Sequence, residues 1–216
     1  MNRKLLVFTL LGSSLAIFAL ATWDALRSSQ KSTPDASTAG VLVRPYSPVL
    51  GEERAPVTIV EFFDPACEAC KAFYPIVKDV LAEHGSAVRL VIRYAPFHGE
   101  ASEVAIGVLE AARMQGVFEP VLEALLREQR RWAGHGTFNR ELLVLIAAKG
   151  GLDPEAARTQ MLAPDVVGVL NQDRADIEAL GIRQTPTFFV NGRLLDPFGE
   201  PALRKMVASA VEEVGR

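Results

Sequence analysis

Cysteine is scarce in this chain, with only Cys67 and Cys70 in 216 residues. A framework of several structural bridges is therefore excluded, and a permanent bridge between these two would close a loop too small to add much stability. Histidine is rare as well, and His84, His98 and His135 lie in separate segments. A lone C-x-x-C supplies only two of the four ligands that a structural zinc takes, so no metal site and no cofactor are expected. Positive charge is not in excess: 23 Lys and Arg stand against 26 Asp and Glu, for a net charge of -3. No block of Lys and Arg interleaved with aromatics is available to neutralise a phosphate backbone, which argues against nucleic acid as a partner. Internal repeats are absent too. What is present is apolar bulk: 49% of the residues are hydrophobic, enough for one well-buried domain and too little chain for two large ones.

The N-terminus sets the compartment. Asn2, Arg3 and Lys4 form a short basic head before an apolar run from Leu5 to about Trp23. Residues 1–23 are read as a signal peptide or an N-terminal membrane anchor, since the run is just long enough to span a bilayer and Ala19-Leu20-Ala21 offers a cleavage signal. With the basic residues ahead of the apolar run, the remainder is expected outside the cytoplasm, in a periplasmic or other extracytoplasmic space. Residues 24–54 are rich in Ser, Thr, Pro and Gly and read as a flexible linker, a tether too short to be a dimerisation domain.

From residue 55 to 216 the pattern is α/β. Val57 to Phe63 is β-branched and aromatic apart from Glu61, as a strand buried on both faces would be. Asp64-Pro65 ends it. A helix is expected from about Cys67, continuing through Pro75, and Val88 to Tyr94 forms the next strand, completing a parallel βαβ unit. Between about residues 98 and 180 the period becomes helical. Ser102 and Thr137 are suited to cap two of these helices, another runs from about Phe118 to Arg130, Asp153-Pro154 opens a fourth, and Asp165 to Leu180 is closed by Gly181. Thr187 to Val190, an Asn191-Gly192 turn and Arg193 to Leu195 make a hairpin before a last helix from Glu200 to Val214.

The two cysteines carry the chemistry. At a helix start, unpaired N–H groups and the helix dipole favour a thiolate, which makes Cys67 the nucleophile. Cys70, one turn later on the same face, is the resolving partner that attacks the mixed disulfide. Glu68 disfavours a very acidic Cys67 and Lys71 partly offsets it, or else Glu68 is a solvated helix-start carboxylate with no redox role. Glu61, on the expected central strand, is a candidate to shuttle the proton of Cys70, the alternative being an exposed strand-end carboxylate. His98 is a surface or capping residue or a neighbour of the site. Trp132 and His135 either line a peptide groove or tuck against the helical layer.

The strand ending in Glu61-Phe62-Phe63, the Cys67-Glu68-Ala69-Cys70 motif, the helical insertion and Thr185-Pro186-Thr187-Phe188-Phe189-Val190-Asn191-Gly192 together resemble the DsbA-like branch of the thioredoxin superfamily. The resemblance covers about Ala55 to Arg216. It implies a thioredoxin-like fold with a helical insertion between the βαβ unit and a cis-Pro hairpin. By the same resemblance Pro186 is a cis-proline facing Cys67, the Thr185 backbone pairs with an extended substrate strand, and position 61 holds an acid. Glu68-Ala69 departs from the Pro-His of strongly oxidising members, which makes both residues tuning positions. The activity implied is thiol-disulfide exchange with cysteine-containing exported proteins, helped by a membrane redox partner. Oxidation is favoured by the compartment. The rivals are a reductase or isomerase kept reduced by a membrane donor, and a non-catalytic peptide- or Cu(I)-binding domain.

Overall fold

Two apolar runs set the architecture of residues 40–134 and 137–215, which the computed structural model describes. In chain order the strands are β1 (Val49–Gly51), β2 (Val57–Phe63), β3 (Val88–Tyr94), β4 (Thr187–Val190) and β5 (Arg193–Leu194). They form one sheet in the order β1-β3-β2-β4-β5, with β2 parallel to β3 and the other pairs antiparallel. β2 is central and buried along almost its whole length, as its β-branched and aromatic composition requires. The β4–β5 hairpin turns at Asn191 and Gly192, whose φ values of 45° and 78° are those the Asn-Gly pair readily adopts.

The helices are α1 (Glu68–His84), α2 (Glu100–Met114), α3 (Phe118–Arg127), α4 (Gln129–Ala133), α5 (Arg140–Lys149), α6 (Pro154–Gln160), α7 (Pro164–Leu180) and α8 (Glu200–Val214). Side chains alternate across the sheet, so Val57, Ile59 and Phe63 join the main core with α1, α8 and the insertion. Val60 and Phe62 join a second core on the opposite face with Ile177 of α7. α2 is buried almost all round, from Val104 to Ala112, and is the helix about which the insertion packs. Such a helix carries weak amphipathic contrast because it has little solvent face.

Several local expectations are corrected. Ser102 does not cap α2: Gly99 does, and the buried Ser102 hydroxyl is used elsewhere. Asn139, not Thr137, caps α5, its side chain accepting the Leu142 N–H at 2.9 Å. The single helix expected over Phe118 to Arg130 is broken at Glu128 into α3 and α4. Trp132 is fully buried, its indole N–H donating to the Leu125 carbonyl at 2.9 Å, so it belongs to the helical layer and lines no groove. His135 and the apolar segment at 1–23 lie outside the described residues, as does the first part of the linker. Among the described residues, no helix is long and apolar enough to cross a membrane.

The later part of the supposed linker is integral to the domain. Leu42 is 1% exposed, and β1 pairs along the outer edge of β3. Arg44 makes two bonds to Asp176, of 2.8 and 2.6 Å, and the Tyr46 hydroxyl donates to Asp173 at 2.7 Å. The reason is a buried charge. Arg93, on the α7 face of β3 and wholly inaccessible, donates to Asp173 at 2.7 Å, to Asp176 and to the carbonyls of Val41 and Leu42. Asp173 also accepts the Tyr94 N–H at 2.7 Å. A guanidinium removed from water needs its fork filled, and carbonyls from the segment ahead of β1 complete it.

Asp173→Ala is expected to cost about 3 kcal/mol, because Arg93 loses one of its two carboxylates and the Tyr94 N–H and Tyr46 hydroxyl lose their acceptor. A urea unfolding midpoint, measured for both chains, reads this directly.

Candidate active site

The alternation of β2 that places Ile59 and Phe63 in the main core places Glu61 there too, on the face that also receives Cys67 and Cys70. Glu61 is 1% exposed, and its Oε1 has no hydrogen-bond partner among the described residues. Burial, reinforced by charge on Cys67, raises its carboxyl to about 8. A partly exposed strand-end carboxylate is therefore not what the chain builds.

Beyond β2 the chain turns through Asp64, Pro65 and Ala66. Asp64 is fully buried, and it does much more than end a strand. Its Oδ1 accepts the Ala66 N–H at 2.9 Å and its carbonyl accepts the Cys67 N–H at 3.1 Å, shaping the turn that delivers Cys67 as the extended N-cap of α1. Its Oδ2 accepts from the Phe97 N–H (2.8 Å), the His98 N–H (3.1 Å) and the Ser102 hydroxyl (2.9 Å), and lies 2.7 Å from the His98 Nδ1. Its own N–H donates to the Cys70 sulfur at 3.4 Å. Neither Asp64 nor Ser102 was recognised from sequence as part of this centre. An acid in a turn before a C-x-x-C is the available signal, but its donors come from residues 97–102 and cannot be read locally.

Opposite Cys67, the Thr185–Pro186 peptide is cis, and the Cys67 Sγ donates to the Thr185 carbonyl at 3.3 Å across 118 positions of sequence. Both cysteines are free thiols; Cys67 keeps 7% of its surface and Cys70 none. Hydrogen bonding from the Cys70 thiol, helped by the Thr185 side chain and the N–H groups of Cys70 and Ala69, outweighs partial burial and lowers Cys67 to about 5. Burial, followed by its hydrogen bond to Cys67 and the charge on Glu61, drives Cys70 far above the ordinary thiol range. The pair is thus split into one acidic and one very reluctant thiol, as a nucleophile and a resolving partner require.

Glu68 and Ala69 are exposed. Glu68 lies 3.7 Å from Arg130 of the insertion, while Lys71 reaches the Arg127 carbonyl at 3.5 Å. Cys67 is acidic in spite of Glu68. Beside the cis-proline loop lies a cleft of about 380 Å³ whose lining includes Ile182, Arg183, Gln184, Pro186, Phe188 and Phe198. Phe73 of α1 packs on Phe198 with ring centroids 4.5 Å apart, and Phe198 remains 45% exposed. Among the described residues, no three His, Cys, Asp or Glu side chains converge as a metal site.

A thioredoxin family model matches residues 44–209, and a thioredoxin-like oxidoreductase from Silicibacter pomeroyi DSS-3 is 32% identical, with 83% of this chain and 97% of that one covered at a TM-score of 0.69. The chain belongs to the thioredoxin family. BdbD from Bacillus subtilis, 24% identical with a TM-score of 0.68 over 83% of this chain and 96% of that one, shares the fold. The Disulfide bond formation protein D of Bacillus subtilis is 24% identical, covering 71% of each chain. A protein of Herminiimonas arsenicoxydans named Na(+)/H(+) antiporter NhaA is 35% identical over 72% of this chain, which spans only 24% of that relative's length.

Two outcomes test the electrostatics. Cys70→Ala removes the strongest influence holding Cys67 down, so the thiolate absorbance of Cys67 is expected to titrate well above the parent midpoint of about 5. In the oxidised chain, where Cys67 cannot titrate, the neutral form of Glu61 favours folding. Its contribution is complete below the ordinary carboxyl value of 4.5 and is lost as pH rises through the raised value that burial alone, without the Cys67 charge, gives the carboxyl. Glu61→Gln removes that slope, so unfolding free energies of the two oxidised chains are expected to diverge in favour of the Gln variant between these limits.

Proposed function

We propose that this chain is an extracytoplasmic protein thiol-disulfide oxidoreductase that oxidises cysteine pairs in exported proteins. The observation that carries this reading is the Cys67 sulfur, lowered to about 5 and standing 3.3 Å from the Thr185 carbonyl of a cis Thr-Pro peptide. An acidic thiol is a good leaving group, and a disulfide that contains one is readily reduced by a substrate. Thiolates near 3.5 accompany strong oxidants and thiolates near 7 accompany thioredoxin, which puts Cys67 between them.

The cycle begins with the Cys67–Cys70 disulfide. A substrate thiolate attacks the Cys67 sulfur, a substrate–Cys67 bond forms, the bond to Cys70 breaks, and Cys70 leaves with the electron pair. Cys70 is the more basic sulfur and takes a proton, for which the buried Glu61 carboxyl is the donor on the same face of the sheet. A second substrate thiolate then attacks its own sulfur in the mixed disulfide and expels Cys67 as a thiolate. The substrate loses two electrons and the Cys67/Cys70 pair gains them, to be returned to a membrane redox partner.

The substrate segment is proposed to lie extended beside Thr185, pairing with its backbone, with apolar side chains in the cleft that Phe188 and Phe198 help to line. The relative named for disulfide bond formation supports the direction of oxidation. Those named as antiporters, in which the matching region is a minor part of a longer chain, support a domain working next to a membrane, to which residues 1–23 would tether it.

Equilibrating the chain with glutathione is expected to give a potential well above the roughly -270 mV of thioredoxin. A value at or below that turns the reading to a reductase. Cys67→Ser is expected to abolish oxidation of a reduced protein substrate.

A further inference from the structure

The break between α3 and α4 turns Gln129 inward, against the loop that carries the nucleophile. Only 1% of it is exposed. Its Nε2 lies 2.8 Å from the Pro65 carbonyl and 2.9 Å from the Cys67 carbonyl, so both hydrogens of its amide are directed at that loop. Its Oε1 is buried and has no partner among the described residues.

The Cys67 carbonyl also accepts the Lys71 N–H at 3.1 Å, the first rung of α1. A second donor there, and one on Pro65, fixes the peptide planes before Ala66 and after Cys67. Those planes set the direction in which the Cys67 side chain leaves the helix start, and hence how squarely its sulfur meets the N–H groups of Ala69 and Cys70. The positive end of the Gln129 amide is also turned toward the same loop. Both effects favour the anion.

As a purely structural element Gln129 is a poor choice. The net gain from two ordinary hydrogen bonds is of the same order as the penalty for one buried acceptor left without a donor, so the two nearly offset. An apolar side chain of the same shape would hold the fold about as well.

We propose that Gln129 is a positioning residue of the redox centre, a side chain of the helical insertion that orients Cys67 by holding the carbonyls of Pro65 and Cys67. This rests on the reading of Cys67 as the nucleophile. The helical insertion is then a working part of the redox pair's surroundings, not simply a cover over them.

Gln129→Met keeps the volume while removing both donors and the unpaired oxygen. The oxidised variant is expected to unfold within about 4 °C of the parent. Its Cys67 thiolate, read by ultraviolet absorbance, is expected to titrate about one pH unit higher. Its equilibrium with glutathione is expected to move toward the disulfide by up to about tenfold, or about 30 mV. In the parent chain, the side-chain amide NMR signals of Gln129 are expected to follow the Cys67 titration. A Met variant with the parent's thiolate midpoint and potential overturns the proposal, whatever its stability. If that variant does not fold, Gln129 amide signals that stay still through the Cys67 titration overturn it. Thiolate absorbance needs no protein substrate, so this failure is distinct from that of the oxidoreductase reading, which would show as normal titration without exchange.

Discussion

The double pairing of β2 is the constraint on which the rest of the redox centre depends. Because β3 lies parallel on one side, the chain leaves β2 at the same end as it leaves β3, and residues 64–67 meet residues 97–102. Because β4 lies antiparallel on the other side, Thr185 and Pro186 arrive at that end just before β4 begins. The contact between Cys67 and Thr185 follows from these two ladders. The Glu61 face of this central strand is covered by α1, α8 and the insertion, and that burial is what makes Glu61 an unusual acid.

Two opposite electrostatic devices operate within this small region. Burial acts against charge on Glu61 and on Cys70, while hydrogen-bond donors act in favour of charge on Cys67. In thermodynamic terms the reduced chain gains stability as pH rises through the Cys67 titration, whereas the buried Glu61 takes stability away as pH rises toward its own. The reduced and oxidised chains therefore respond to pH in different senses, since only the reduced one carries the thiolate.

Much of the fold was legible because strong local patterns agreed with their surroundings. The Val57–Phe63, Val88–Tyr94 and Thr187–Val190 strands match the β-branched and aromatic runs residue for residue. Asp153 and Gly181 cap where their chemistry suits them. Ser102 and Thr137 show the weakness of the same logic: a good capping residue is used as a cap only if no better use competes, and the buried Asp64 claims the Ser102 hydroxyl. β1 was hidden because three residues on a sheet edge carry almost no periodicity. Cys67 and Cys70 announced themselves, and Pro186 was legible only through resemblance. The roles of the Asp64 Oδ2 and of the Gln129 amide were silent, since their partners lie at least 33 positions away, where no local pattern reveals them.

The way Asp64 is satisfied bears on any attempt to shrink this domain to a bare thioredoxin core. Excising residues 98–180 removes the His98 and Ser102 groups that reach its carboxylate, and with them the Gln129 amide, leaving the acid beside the cysteines without those donors. A minimised chain would have to replace Asp64 with something neutral, and so redesign the very turn that presents the sulfur. Miniaturisation is thus limited by hydrogen-bond supply as well as by the apolar core, to which the insertion gives the residues from Val104 to Val169.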